Sequence, residues 1–249
     1  MNTLINQTRM QMRLFLRRKD ELFWTLAFPV LFILLFGAIY GNTKWTGSGI
    51  DIRAIDYLLP GIIVMAAMVT GIMRTATGLV QEREAGVYRR LALTPLKRTT
   101  LIGSQLLQHY IVIVVQTLLL VAISGAAFKT HLTGNTGLFW LTLSVGALCF
   151  MSIGFALTGL IKTLRSATPI IQIVYFSMMF LGGIFFPNSM LPTWLGNAAK
   201  VLPSTQLGDA LRVVVYNSGG IGDIWLKLLI MAGWIAACLI FSIRFFKWE

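Results

Sequence analysis

Apolar residues run in six blocks along this chain, at about 22–40, 58–80, 104–126, 138–161, 168–186 and 224–246, and charged residues gather between them. Roughly 20 apolar residues in a helix cross a hydrocarbon core about 30 Å thick, and each block approaches or exceeds that length. The expected fold class is all-α: a polytopic membrane protein with six transmembrane helices in one membrane domain over 1–249.

The intervals between the blocks carry their own patterns. Ahead of the first, Leu4, Ile5, Met12, Phe15 and Leu16 fall on one side of a helical wheel and Arg9, Arg13 and Arg17 on another. This predicts an amphipathic helix within 1–21 that lies in the headgroup layer with its apolar face in lipid. Pro29 is expected to kink the first span, and the stretch 41–57 to be a short polar connector. Arg74, four turns into the second span, is expected to snorkel its head to the inner surface. Small residues in the second span (Gly61, Gly71), the fourth (Gly146, Gly154) and the sixth (Gly233) predict seams of close helix packing. Between spans five and six, 187–216 is too apolar for a solvated loop, yet Pro187, Pro192 and Pro203 interrupt any continuous helix. Short re-entrant outer helices satisfy both facts, with Trp194 at the interface.

Composition narrows the class. A chain with 56% hydrophobic residues, 12% charged residues and a mean hydropathy of +0.76 is excluded as a soluble globule. The net charge of +12 sorts by side: fifteen of the 21 Lys and Arg residues fall on the side of both termini. The other side keeps Lys44, Arg53, Lys129, Lys200, Arg212 and Lys227. The positive-inside rule then places both termini in the cytoplasm. These basic residues border spans rather than cluster on a soluble face, so no nucleic-acid partner is expected. Cys149 and Cys238 lie inside spans, and His109 and His131 are isolated from any carboxylate cluster, so neither a disulfide, a metal site nor a catalytic group is expected.

Two segments carry functional information. The inner loop 81–103 holds Glu82, Arg83, Glu84, Gly86, Arg89 and Arg90, interleaved with apolar residues and ended by Thr94-Pro95. A short amphipathic helix held between two rigid spans suits it to pass a push from a soluble partner into the membrane. The paired Glu82 and Glu84 are not required by the positive-inside trend. The outer segment holds Phe186-Pro187, Leu191-Pro192-x-Trp194-Leu195, Leu202-Pro203 and Asp209-Ala210-x-Arg212.

On these motifs and the six spans, the chain resembles the type-2 permease family of ATP-binding-cassette transporters, in the manner of daunorubicin-type and nodulation-factor exporter subunits. Ser104, where a basic residue is common, and Gln206, at a place often aromatic, depart from that pattern. The resemblance implies a half-transporter in a bacterial or archaeal plasma membrane: two permease copies around a central path, among membrane lipids, with two ATPase subunits beneath. Glu82, Arg83, Glu84, Gly86, Arg89, Arg90, Thr94 and Pro95 are then the expected ATPase-coupling residues. Phe186, Pro187, Pro192, Trp194, Pro203, Asp209 and Arg212 mark the outer re-entrant segment. No G-x-x-x-x-G-K-[ST] phosphate loop occurs, so this chain is expected to be no enzyme and to bind no cofactor, with ATP and Mg in the partner.

Flexible and aromatic side chains of spans two and five, Met65, Met68, Phe176, Met179 and Phe180, are the expected path-lining residues. The scarcity of charge inside the spans favours lipophilic or amphipathic cargo such as drugs or antibiotics. A lipid-linked glycan is an alternative cargo, and an ATPase-independent secondary transporter is the alternative mechanism.

Overall fold

The computed structural model describes every residue except 1, 41–42, 46–51, 88–97, 131–133, 162, 185–191, 217–218 and 246–249, and among the described residues nine helices account for almost all the regular structure. Helix α1 covers Asn2–Arg17 and α2 covers Lys19–Tyr40, continuing through Pro29. The second span, α3, is one rod from Ala54 to Glu84 with a π-helical turn at Val69–Arg74. It is followed by α4 (Arg98–Phe128), α5 (Thr136–Leu160), α6 (Leu164–Leu181), α7 (Thr193–Ala199), α8 (Pro203–Tyr216) and α9 (Ile221–Phe245). A two-residue antiparallel ladder, Lys44–Trp45 with Ile52–Arg53, is the strand pairing among the described residues and closes the connector from α2 to α3.

Six of these helices, α2, α3, α4, α5, α6 and α9, are long and apolar enough to cross a membrane. Helices α7 and α8 are not: the 14 residues of α8 rise only about 21 Å. Several boundaries move from the sequence expectation. Helix α3 begins at Ala54 and runs to Glu84, and α4 begins at Arg98, so helix occupies both edges of the expected 81–103 loop. Helix α6 starts at Leu164, where Thr163 caps it by accepting the Ser166 backbone N–H at 3.3 Å.

The fold is organised around α3. Its apolar window is 89% buried, against 17% to 61% in the other five spans. Helices α2 and α4 pack on one side of it, α5 on another, and α9 lies against α5; α6 meets the half of α3 beyond the π turn. Backbone proximity sets the seam with α5. A Cβ at Gly71 would stand 2.6 Å from Phe150 Cβ, and one at Gly154 would stand 2.6 Å from Gly71 O. The absence of side chains there lets the two helices close to backbone contact.

Contacts at the termini show that the spans alternate in direction. Ends near Arg53, Phe128, Gly183 and Arg212 meet at one end of the bundle, and ends near Glu84, Gln105, Ile161 and Leu164 meet at the other, which we term the basic end. Helix α1 sits at the basic end and packs on α4 and α2. The expected lipid-facing side of α1 is corrected here. Thr8 and Phe15 are buried, and Leu4 and Met12 are half-buried, whereas Ile5, Met10, Leu14 and Leu16 remain exposed. Part of the apolar stripe is therefore used for docking on α4, where Gly103 leaves room beside Leu4.

Candidate functional site

The last turn of α3 joins three other helices. Gln105 of α4 donates its amide to the Glu82 carboxylate at 2.5 Å. Arg83 donates to Thr158 O at 3.2 Å and to Ile161 O, at the C-terminus of α5. Glu84 Oε1 accepts the Leu164 backbone N–H at 2.8 Å, at the N-terminus of α6. The signs suit the helix dipoles: a cation meets the carbonyl end of α5 and an anion meets the N–H end of α6. Gly86 ends the rod with φ +67°, donating to Arg83 O at 3.0 Å, the left-handed C-terminal geometry that glycine adopts without steric cost. Of the expected coupling residues, Glu82, Arg83, Glu84 and Gly86 are thus brought together; Glu82 engages α4 two turns from its start, and Arg83 and Glu84 engage the ends of α5 and α6. Arg89, Arg90, Thr94 and Pro95 lie outside the described residues.

A buried polar seam climbs from this knot between α2, α3 and α4, and the sequence reading missed it. Arg74 does not snorkel. Its Nε and Nη2 each lie 2.9 Å from Glu21 Oε1, and its guanidinium sits 4.1 Å from the centre of the Phe15 ring. The N-terminal turn of α2 supplies a carboxylate at the height of Arg74, and a neighbouring counter-charge satisfies the guanidinium without a path to headgroups. Farther along, Thr75 Oγ1 and His109 Nδ1 are 3.0 Å apart, Thr70 donates to Gln116 Oε1 at 2.9 Å, and Gln116 donates to Thr25 O at 2.6 Å. The π turn at Val69–Arg74 sits inside this seam; such a wide turn re-aims side chains where a regular helix would point them elsewhere. One signal was available: Gln105, Gln108, His109 and Gln116 recur on one face of α4.

At the opposite end Arg212 of α8 ties three elements together. It donates to Asp209 Oδ1 at 3.1 Å, Tyr57 O at 3.3 Å and Gly183 O at 2.8 Å, with its guanidinium 3.8 Å from the Tyr57 ring centre. Pro203 is the first residue of α8, where its missing N–H costs no helical bond. Pro192 immediately precedes α7, and Trp194 is 72% exposed. Phe186 and Pro187 lie outside the described residues.

The path-lining expectation divides. Met65 and Met68 are completely buried in the chain's own core, because α3 is the central helix, so they line no surface of this arrangement. Phe176 and Phe180 are exposed on α6 and stacked on one another, and Met179 is half-buried.

Comparison with known proteins agrees with this architecture. The family profile described as ABC-2 type transporter matches residues 4–216. The chain is 25% identical over 199 residues to ABC transporter G family member 20 of Dictyostelium discoideum, which covers 79% of this chain but only 26% of that one. It is 28% identical over 247 residues to the transport permease YvfS of Bacillus subtilis, covering 97% of this chain and 96% of the relative. It is 24% identical over 196 residues to a Mycobacterium tuberculosis permease named for doxorubicin resistance, DrrC, covering 74% and 66%. The chain thus spans about a quarter of the first relative and nearly all of the second. With six spans, and a profile that reaches from α1 through α8, the chain belongs to the ABC-2 type transporter family.

Proposed function

We propose that this chain is the membrane permease subunit of an ATP-driven exporter, acting as a pair of copies around a shared path and powered by two copies of a separate ATP-binding-cassette ATPase. The observation that carries the reading is the knot at Glu82, Arg83 and Glu84. A push on the segment that follows Gly86, which includes Arg89, Arg90, Thr94 and Pro95, reaches α4, α5 and α6 together through one rigid turn. ATP binding in the partner biases the spans between two arrangements only through contacts that differ between them. ATP and Mg2+ belong to that partner in this reading.

The excess of positive charge orients the basic end and both termini toward the cytoplasm of a bacterial or archaeal plasma membrane. Lipophilic or amphipathic drugs are the proposed cargo. This draws on the name of the doxorubicin-resistance relative and on Phe176 and Phe180, which offer α6 as an adaptable apolar wall toward a second copy.

The test is a double variant, Glu82→Ala with Glu84→Ala, reconstituted in vesicles with the ATPase. ATP hydrolysis continues while drug transport falls at least about tenfold, since the push no longer reaches α4 and α6 together. Transport at the unaltered rate sinks the coupling role, and uphill transport by the chain without any ATPase sinks the whole reading.

A further inference from the structure

Helix α6 has two unlike sides. Ala167, Ile171, Tyr175 and Met178 are buried against the bundle. Thr168, Gln172, Phe176 and Phe180, each four residues from the next, form an exposed ridge on the other side, with Ile173 and Ser177 beside it. The ridge is polar in the half nearer the basic end and aromatic in the half nearer the opposite end. Among the described residues, the other five spans expose only apolar or aromatic side chains away from their terminal turns, and α6 is the least apolar of the six. Gln172 is the ninth of the 18 residues of α6, about 12 Å from the nearer end of the helix and farther than its side chain reaches. An amide facing hydrocarbon at that depth loses its hydrogen bonds to water and gains none in return.

We infer that Gln172 is a specificity-determining residue of the transport path, where its amide holds a hydroxyl or carbonyl group of a ring-bearing cargo. The inference rests on the proposed pair of copies around a shared path, and places the ridge of α6 on that path rather than in lipid. A tight seam between two helices is built from small side chains that let the backbones approach, whereas Gln172, Ile173, Phe176 and Phe180 hold a neighbouring helix away. The space they border suits a molecule of matching polarity. An amide both donates and accepts, so it pairs with either a hydroxyl or a carbonyl. Phe176 and Phe180, stacked with ring centres 6.4 Å apart, offer the next two turns to a flat ring system. No charged residue occurs from Thr168 to Phe180, so the groups recognised here are uncharged.

The experiment uses the full-length chain reconstituted in vesicles with the ATPase. In a background lacking Cys149 and Cys238, a water-soluble maleimide labels Gln172→Cys but not Leu148→Cys, which is exposed at the middle of α5, because a thiol reacts as its thiolate and stays protonated in hydrocarbon. Labelling of Gln172→Cys no faster than that of Leu148→Cys overturns the inference, whatever the cargo. Doxorubicin, whose fused rings bear hydroxyl and carbonyl groups, is the cargo probe. It slows the labelling of Gln172→Cys. Gln172→Leu raises the doxorubicin concentration that half-stimulates ATP hydrolysis about three- to tenfold, and Gln172→Asn, which keeps the amide, gives a smaller shift. A stimulated complex in which Gln172→Leu leaves that concentration unchanged removes Gln172 from cargo selection while the export reading stands. An unaltered complex that doxorubicin fails to stimulate sinks the drug cargo of that reading and the role of Gln172 with it.

Discussion

Three arginines close the ends of three spans. Arg53 donates to Phe128 O at 3.2 Å and Lys129 O at 3.4 Å beyond α4, Arg83 to Thr158 O and Ile161 O on α5, and Arg212 to Gly183 O and Ile184 O beyond α6. The last carbonyls of a helix have no N–H of their own, and a guanidinium offers several donors in a fixed fork at the negative end of the dipole. Arg53 and Arg212 are two of the six basic residues that lie against the side-to-side charge trend; Arg53 caps the end of α4, and Arg212 fixes the turn that follows α6. Removing Arg83 by substitution with Ala strands two carbonyls and costs about 1–3 kcal/mol of stability. Arg83→Lys recovers part of this, because one ammonium cannot reproduce the fork. Glu84→Ala costs less, about 0.3–1 kcal/mol, since its carboxylate is exposed and acts on the first turn of α6. Thermal unfolding of the detergent-solubilised chain ranks the three variants, and equal midpoints for Arg83→Ala and the parent remove the capping account.

At the scale of elements, small residues that look equivalent in the sequence divide sharply. Gly71 and Gly154 mark where α3 and α5 meet at backbone distance, whereas Gly233 on α9 has nothing within 4 Å of a Cβ. The expected seam is thus present between the second and fourth spans and absent around Gly233. Gly154→Ala drives a methyl into the α3 backbone and destabilises by about 1–3 kcal/mol, while Gly233→Ala is neutral or slightly stabilising through its better helix propensity. Urea or thermal denaturation of the two variants separates them, and similar behaviour of both contradicts the seam. The same scale explains why Arg74 reads as a snorkelling residue and His109 as an isolated one. Their partners Glu21 and Thr75 come from other helices, and the π turn alters which residues of α3 face α4.

Over the whole molecule, a central rod is wrapped by spans whose outer faces stay largely apolar. Helices α2, α6 and α9 bury only 22%, 22% and 17% of their apolar windows, which leaves broad apolar surfaces uncovered by the chain itself. The alternation of helix ends makes a topological prediction. In a background lacking Cys149 and Cys238, a membrane-impermeant maleimide added to intact cells labels Lys200→Cys, while Glu84→Cys reacts only after the membrane is opened. Labelling of Glu84→Cys in intact cells reverses the proposed orientation.

The sequence alone determined the number, order and approximate length of the spans, and the short proline-started helices between the last two. These depend on how many apolar residues in succession fill a hydrocarbon core of about 30 Å, a property that each segment carries locally. Tertiary structure alone decided what the polar groups do. Glu21 with Arg74, Arg83 with Ile161 O, and Arg212 with Tyr57 O join residues 53, 78 and 155 positions apart. Whether a charge in a membrane helix faces headgroups, a counter-charge or a carbonyl depends on which helix stands beside it and at what height, and no single segment contains that information.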